Sequence, residues 1–556
     1  MRFRSRMYER RWWGLIPLFL FASLLTAQPA AAADSATCVR PVLTTGCSFP
    51  TQYTGTSTRP KTIPALRNWT AGLGAFQLTS KTRLVMKPTY AMALQSDADV
   101  FADDLEKATG KKPRVVVTDV APSPGDILLT LGSTNDAVGA EGYELRIGSS
   151  IEISAVASAG AFYGTRTVLQ LLHQGTSVPA GVAIDWPRYP ERGLMIDIAR
   201  NPSYSKEWLE ERIRELAYLK LNYLHLHLTD DQGWRVESNE GLQSDVFLTK
   251  DQVRDLVSLA GRYHITVVPE VDMPGHMGWA LRAHPEWQLR DGNGIAVPNK
   301  IDYSITEARA WIRGIVLEYL PLFPGNYWHM GSDEFLGDQQ YDNYPQLGAY
   351  AKDKYGPLAS PKDGVRGLMN EINALVRAHG KTLRVWNDNF TPEPTTVPVD
   401  TDVIVEWWAD LNGASFPSLF NPATPQQLLA AGYTIQNSSF YPTYDYNAVH
   451  VPKHPSPVRM YEDWAVQRFH GFLYSLEDGD GEMVPFYDTD PAEKRNRGSV
   501  VHFWNDGVPT DYTAEQTAES IYPRLRVMAQ KTWESGPLVT TYGEFASIME
   551  VVGSAP

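Results

Sequence analysis

The chain has 556 residues, too many for one ordinary core, so at least two domains are expected. Hydrophobic residues make up 43% and charged residues 21%, a globular balance that excludes a disordered or collagen-like chain. The formal charge of −14 argues against nucleic acid as a partner, and the 16 Trp and 27 Tyr offer flat faces that suit a core or a sugar ring.

Residues 1–33 read as a signal peptide. Arg2, Arg4, Arg6, Arg10 and Arg11 form a basic start, an apolar run follows from Trp12 to Ala27, and Ala31, Ala32 and Ala33 offer a small-residue cleavage site. The run is short for a full span, so no stable membrane anchor is expected after cleavage and the protein is expected to be secreted. Cys38 and Cys47 are the only two cysteines. An oxidising compartment would join them in a bridge that staples the tail and linker, residues 34–61. Residues 62–187 mix short strands (Arg114–Val117, Ile127–Leu131, Tyr143–Ile147) with helices (Asp97–Thr109, Gly160–Leu172), which predicts a small α+β domain.

From residue 188 to 556 the rhythm changes. Arg192–Ile198, Tyr223–Leu228, Ile265–Val271, Tyr327–Gly331, Thr382–Trp386, Val403–Trp407, Tyr433–Gln436 and Val500–Trp504 read as eight strands. Helical spacing separates several of them, at Lys206–Leu219, Lys250–Tyr263, Ile305–Leu320 and Val365–His379. The fold class is therefore α/β, a (β/α)8 TIM barrel preceded by the small α+β domain. A doubly wound open sheet is the alternative, but the chain carries no Gly-rich phosphate loop to support it. Strand after strand ends in acids or Trp: Asp197 with Arg200, Asp230 with Asp231, Glu270 with Asp272, Asp333 with Glu334, Trp386 with Asp388, Trp407 with Trp408, Trp504 with Asp506. Barrel active sites form where strands end, so these residues should meet at one mouth.

The sharpest motif is HMGSDE, 329–334. Two adjacent carboxyls at a strand end can share a pocket, and repulsion favours keeping one of them protonated as an acid. In LHLHLTDDQGWR, 224–235, His225 and His227 share a strand face. Metal-dependent amidohydrolases use that spacing but need further histidines on later strands. Here those ends carry carboxylates and Trp, so no metal is expected and the histidines should pack inside the barrel. In EVDMPGH, 270–276, a Pro-Gly turn can bring His276 back towards the pocket.

Together RGLMIDIAR, KLNYLHLHLTDDQGWR, VVPEVDMPGH and HMGSDE resemble glycoside hydrolase family 20, the β-N-acetylhexosaminidases, from about residue 60 onward. The resemblance implies an exo-acting enzyme on oligosaccharides or glycans, without cofactor, that retains configuration by substrate assistance. The acetamido oxygen of the sugar would attack the anomeric carbon to give an oxazolinium ion. Glu334 would be acid and then base, and Asp333 would hold the acetamido N–H. Tyr444 would bond the acetamido oxygen, with Tyr441 as its rival. Trp386, Trp408 and Trp504 would wall the acetamido group, Arg200 and Asp506 would meet sugar hydroxyls, and Asp230 and His276 would support Glu334.

Three positions depart from the family's usual pattern: Asn201 stands where His is common, Ser332 where Gly is common, and Asp506 where Glu is common. Such departures resemble the lacto-N-biosidase branch, which releases a disaccharide, and leave open whether the pocket takes one sugar or two. The segment from Tyr446 to Ser499 is expected to lie over the mouth. Oligomeric state is not legible.

Overall fold

The computed structural model describes residues 58–410, 421–446, 456–471, 486–506 and 512–556, which lie in one compact unit. The expected signal peptide, Cys38 and Cys47 lie outside the described residues, as does much of the segment expected over the mouth. Among the described residues no helix is long and apolar enough to cross a membrane.

The N-terminal part is built on a mixed sheet of seven strands. Its strands, numbered in chain order, lie in the order first, seventh, fifth, sixth, fourth, second, third. Arg114–Val117 and Tyr143–Ile147 fall where the alternation predicts, whereas Asn68–Gln77, Arg83–Met86, Ile151–Ala155 and Ser177–Asp185 are additional. The helix expected at Asp97 begins earlier, at Pro88. A proline suits the first helical turn, where its missing N–H has no intrahelical partner to lose. This helix packs with a second, Ser158–His173, whose Phe162 ring meets Tyr263 and His264 of the barrel at 6.1 and 4.9 Å.

That contact belongs to a polar and aromatic seam between the two parts. Lys220 is fully buried, and its ammonium meets Asp185 at 3.0 Å and the Tyr143 hydroxyl at 2.7 Å. Asp185 also accepts from the Trp533 indole at 2.8 Å. Arg192, on the first barrel strand, reaches Glu141 at 2.9 Å, and His264 reaches Asp97 at 2.8 Å. Buried ions hold the seam in one register because each unpaired alternative would be strongly disfavoured.

The barrel closes with eight parallel strands: Glu191–Asp197, Tyr223–Asp230, Thr266–Val271, Tyr327–His329, Thr382–Trp386, Ile404–Trp407, Thr434–Asn437 and Asn496–Trp504. The last pairs with the first, from Gly498 opposite Glu191 to Phe503 opposite Ile196. One departure from the repeating pattern is clear. Between the fifth and sixth strands there is only a short turn, Asn387–Asn389, and no α-helix. Pro392, Pro394 and Pro398 in that connection deny it the N–H groups and backbone angles of a helix.

The interior is charged rather than lined by branched apolar side chains alone. Near the bottom, Arg384 bonds Glu406 at 2.6 Å and Glu191 at 3.0 Å. Above it, Glu270 gathers His225 at 3.0 Å, His227 at 2.7 Å, His329 at 3.2 Å and the Trp386 indole at 2.8 Å. This chain of ion pairs rises directly to the mouth.

Candidate active site

At the carboxyl ends of the strands lies a small cavity of about 60 Å³, lined by Arg200, His227, Asp230, Asp272, His276, Asp333, Glu334, Trp386, Trp408, Tyr444, Trp504 and Asp506. Each comes from a strand end or the segment after it, as the barrel geometry requires.

His227 transmits the buried charge upward. Its Nδ1 meets Glu270 and its Nε2 meets Asp230 at 2.8 Å. Burial opposes charge on this ring, but Glu270 and Asp230 outweigh it and hold the imidazolium well above the usual histidine range. Asp230 also meets Arg200 at 2.8 Å and His276 Nδ1 at 3.5 Å. Against burial, Arg200 first and then His276 keep its carboxyl well below the ordinary range. The Arg200 guanidinium is heavily committed: Asp197 lies at 2.8 Å and Asp506 at 2.9 Å. It lines the cavity, but with its donors largely spent on carboxylates and on Gln232 at 3.2 Å.

The fourth strand ends at His329, and the next residues turn sharply. Gly331, Ser332 and Glu334 all have positive φ, at 66°, 74° and 44°. Gly331 is required twice over, since a Cβ there would fall on the Asp272 carboxyl. That carboxyl accepts the Ser332 N–H at 3.1 Å. Ser332 is fully buried, and its carbonyl and hydroxyl oxygens accept from Asn389 Nδ2 at 2.6 and 3.1 Å. Its side chain therefore does not reach the cavity, which removes it as a direct determinant of pocket size.

The turn gives the two acids different surroundings. The Asp333 side chain is 15% exposed and that of Glu334 52%. Burial, then the nearby Asp272, pushes Asp333 well above the usual carboxyl range. Burial also raises Asp272 and Asp388, each to about 6. Glu334 is held below its ordinary value, its desolvation offset by the hydrogen bond and charge of His276. His276 itself is raised by Asp230, Asp333 and Glu334 despite burial. The two neighbouring carboxyls are thus pushed in opposite directions, Asp333 up, chiefly by burial, and Glu334 down, by His276. His276 Nε2 lies between them, 3.7 Å from Asp333 and 3.5 Å from Glu334.

The aromatic wall is assembled from three strands and one insertion. Trp386 is pinned by Glu270, and the Trp408 indole donates to Asp388 at 2.7 Å. Trp504 faces Trp386 at 6.0 Å and Tyr444 at 5.9 Å. Tyr444 sits on a short strand, Tyr444–Tyr446, that runs parallel to the last barrel strand. Tyr441 does not line the cavity; it packs edge-on against His470 at 5.9 Å. Trp407 points away and bonds the Ala423 carbonyl at 3.1 Å, as its opposite strand face demands.

Two lining residues had no assigned role in the sequence, His227 and Asp272. Strand alternation already placed His227 inward, and Asp272 was visible as a strand-end acid. Neither signal distinguished lining a pocket from supporting it. Among the described residues, four clusters of His and carboxyl groups are close enough to share an ion, including His225, Glu270 and His329. In that cluster both Glu270 oxygens already take N–H groups, from His227 and Trp386.

Comparison with known proteins follows the same lines. Residues 189–536 match the model of the catalytic domain of glycosyl hydrolase family 20, and residues 59–186 match domain 2 of that family. The chain belongs to glycosyl hydrolase family 20. It is 32% identical over 506 residues to a lacto-N-biosidase of Bifidobacterium bifidum, covering 89% of this chain and 42% of that one. It is 30% identical to a β-hexosaminidase of Porphyromonas gingivalis, covering 85% and 60%. The chain thus spans about half the length of these two relatives. A β-hexosaminidase mutant of Streptomyces plicatus, solved with its product GlcNAc, shares the fold at a TM-score of 0.67 and 23% identity, over 90% of this chain and 96% of that one. An exo-β-N-acetylglucosaminidase of Vibrio harveyi, solved with N-acetylglucosamine, gives 0.69 and 21%, over 90% and 78%. Family membership replaces the amidohydrolase alternative raised by His225 and His227.

Proposed function

We propose that the protein is a retaining exo-β-N-acetylhexosaminidase, acting on terminal β-linked N-acetylhexosamine by substrate assistance. The observation that carries this reading is the pair Asp333 and Glu334 in one cavity with contrasting environments. Asp333 is the deeper, beside Trp386 and Trp408, and its Oδ1 is buried with no hydrogen-bond partner among the described residues. That atom suits an acetamido N–H. Glu334, half-exposed at the rim, suits the oxygen of the bond to be cut.

Before the reaction Glu334 must carry a proton and Asp333 none, and His276 Nε2, 3.5 Å from Glu334 and 3.7 Å from Asp333, is placed to move one between them. The acetamido oxygen then attacks the anomeric carbon as Glu334 protonates the departing oxygen. Asp333, now an anion, accepts the acetamido N–H and stabilises the positive charge spreading over the oxazolinium ring. Tyr444 bonds the acetamido oxygen, and the three Trp rings exclude water from it. Water, deprotonated by Glu334, next attacks the same carbon and restores the acetamido group.

Turnover of aryl N-acetylglucosaminide by Asp333→Asn and Glu334→Gln tests the reading. Each variant should lose about 10²–10⁴-fold in kcat, and Asp333→Asn should keep KM within a few-fold. Wild-type turnover in Asp333→Asn would overturn substrate assistance.

A second reading, release of a disaccharide, is favoured by Asp506. This carboxylate is one methylene shorter than the Glu that the family resemblance leads one to expect, and it pairs with Arg200 at 2.9 Å. The relative named lacto-N-biosidase is matched over 89% of the chain. Parallel assays on aryl GlcNAc, aryl GalNAc and aryl lacto-N-bioside separate the two. Activity on the disaccharide alone would replace the first reading with the second.

A further inference from the structure

Glu334 has a left-handed backbone (φ 44°), a conformation unfavourable for any residue with a Cβ. Two charged side chains of opposite sign hold the peptide groups on its two sides. The Glu334 N–H donates to Asp388 Oδ1 at 3.1 Å. Its carbonyl accepts from Lys300 Nζ at 2.7 Å. Asp388 belongs to the turn after the fifth strand. Lys300 lies on Ala296–Ile301, one arm of the two-stranded hairpin after the third strand. Neither residue lines the cavity.

Asp388 also faces the opposite way. Its second oxygen accepts the Trp408 indole N–H at 2.7 Å. The residues on either side of it extend the same brace. Asn387 takes the Trp408 N–H and donates to the Ala409 carbonyl, both at 2.8 Å. Asn389 holds the Ser332 carbonyl at 2.6 Å. The turn that replaces a helix between the fifth and sixth strands thus joins the carboxyl-bearing loop to the aromatic wall. Without these bonds, the Glu334 backbone would relax towards right-handed angles and swing the carboxyl out of line.

We propose that Asp388 and Lys300 are positioning residues for Glu334: they lock its backbone, and Asp388 ties that backbone to the indole of Trp408. The proposal rests on the reading of Glu334 as the acid and base. It predicts damage that depends on the leaving group. An alkoxide leaving from a sugar needs the proton, whereas a dinitrophenolate leaves without it.

The test compares kcat/KM, which reports the step that expels the leaving group, on a β-linked N-acetylglucosamine oligosaccharide and on dinitrophenyl N-acetylglucosaminide. Asp388→Asn should lose about 10–100-fold on the first and less than about 3-fold on the second. Lys300→Met should lose about 3–10-fold on the first alone, and Lys300→Arg should recover most of it. Glu334→Gln is the control for the chemistry. If the control is leaving-group dependent but Asp388→Asn and Lys300→Met lose equally on both substrates, or lose nothing, the positioning role is overturned. If the control loses equally on both, the assignment of Glu334 falls first and the proposal falls with it. Lys300 is half-buried, and its two variants keep the test open should Asp388→Asn fail to fold.

Discussion

Arg200→Met probes the charged floor of the site. Arg200 is the cation shared by Asp197, Asp230 and Asp506, and the first two side chains are 0% and 1% exposed. Removing one partner from a buried ion pair destabilises by about 3–5 kcal/mol. Asp197 would keep the backbone N–H groups of Ala199 at 3.0 Å and Asn505 at 3.1 Å, and Asp230 would keep His227, so the lower end, about 3 kcal/mol, is expected. The loss should depend on pH. In the wild type the Asp230 carboxyl is depressed, so its contribution is complete above the ordinary carboxylate pKa of about 3.9 and fades only below it. Without Arg200 the buried carboxyl is raised instead. Its penalty is then full near neutrality and shrinks as falling pH protonates it. Urea unfolding followed by Trp fluorescence, at about pH 7 and about pH 4.5, should show a wild-type-to-variant gap at least 1 kcal/mol smaller at the lower pH. A gap of equal size at both values would refute the linkage, and a gap below about 1 kcal/mol at neutrality would refute the buried-pair argument itself.

Gly331→Ala should abolish most activity while leaving the barrel folded, because the new Cβ displaces the Asp272 carboxyl that holds the Ser332 N–H. The left-handed angle adds about 1–2 kcal/mol and the lost bond about 1–3 kcal/mol, read as a lowered unfolding midpoint; full activity would show that the turn is not constrained. Ser332→Gly relieves backbone strain but loses the hydroxyl contact to Asn389, so stability should change by no more than about 1 kcal/mol. Its product, monosaccharide or disaccharide, should be that of the wild type by chromatography, since Ser332 faces away from the cavity. Lys220→Met leaves Asp185 without its buried cation and should cost about 3–5 kcal/mol. Limited proteolysis should then cut within residues 59–186 first, because the seam that docks them is lost; unchanged protection would mean that the apolar contacts of Phe162 suffice.

Much of this was legible in the chain. Strand borders such as Thr382–Trp386 and Tyr223 onward followed from β-branched and aromatic runs, and the acids at their ends followed from barrel geometry. The Asn68–Gln77 strand was not legible, because its NWTAGLGAFQ lacks a clean alternation and its shape depends on pairing with Ser177–Asp185. Tyr444 and Tyr441 were indistinguishable in sequence, being three apart in one segment. Only parallel pairing with the last barrel strand puts Tyr444 against Trp504 and leaves Tyr441 beside His470.

Ser332 and Asp506 show the same division. The resemblance marks both as departures, but one is walled off behind Asn389 and the other reaches Arg200. By itself the sequence determined the family, the barrel and the pair Asp333 and Glu334, because these rest on local pattern and on residue types in order. Tertiary structure alone decided which of the two acids lies deeper, where Arg200 spends its donors and how the turn at Asn387–Asn389 braces Glu334. Those depend on burial and on charges brought together from distant segments, and neither is encoded in spacing along the chain.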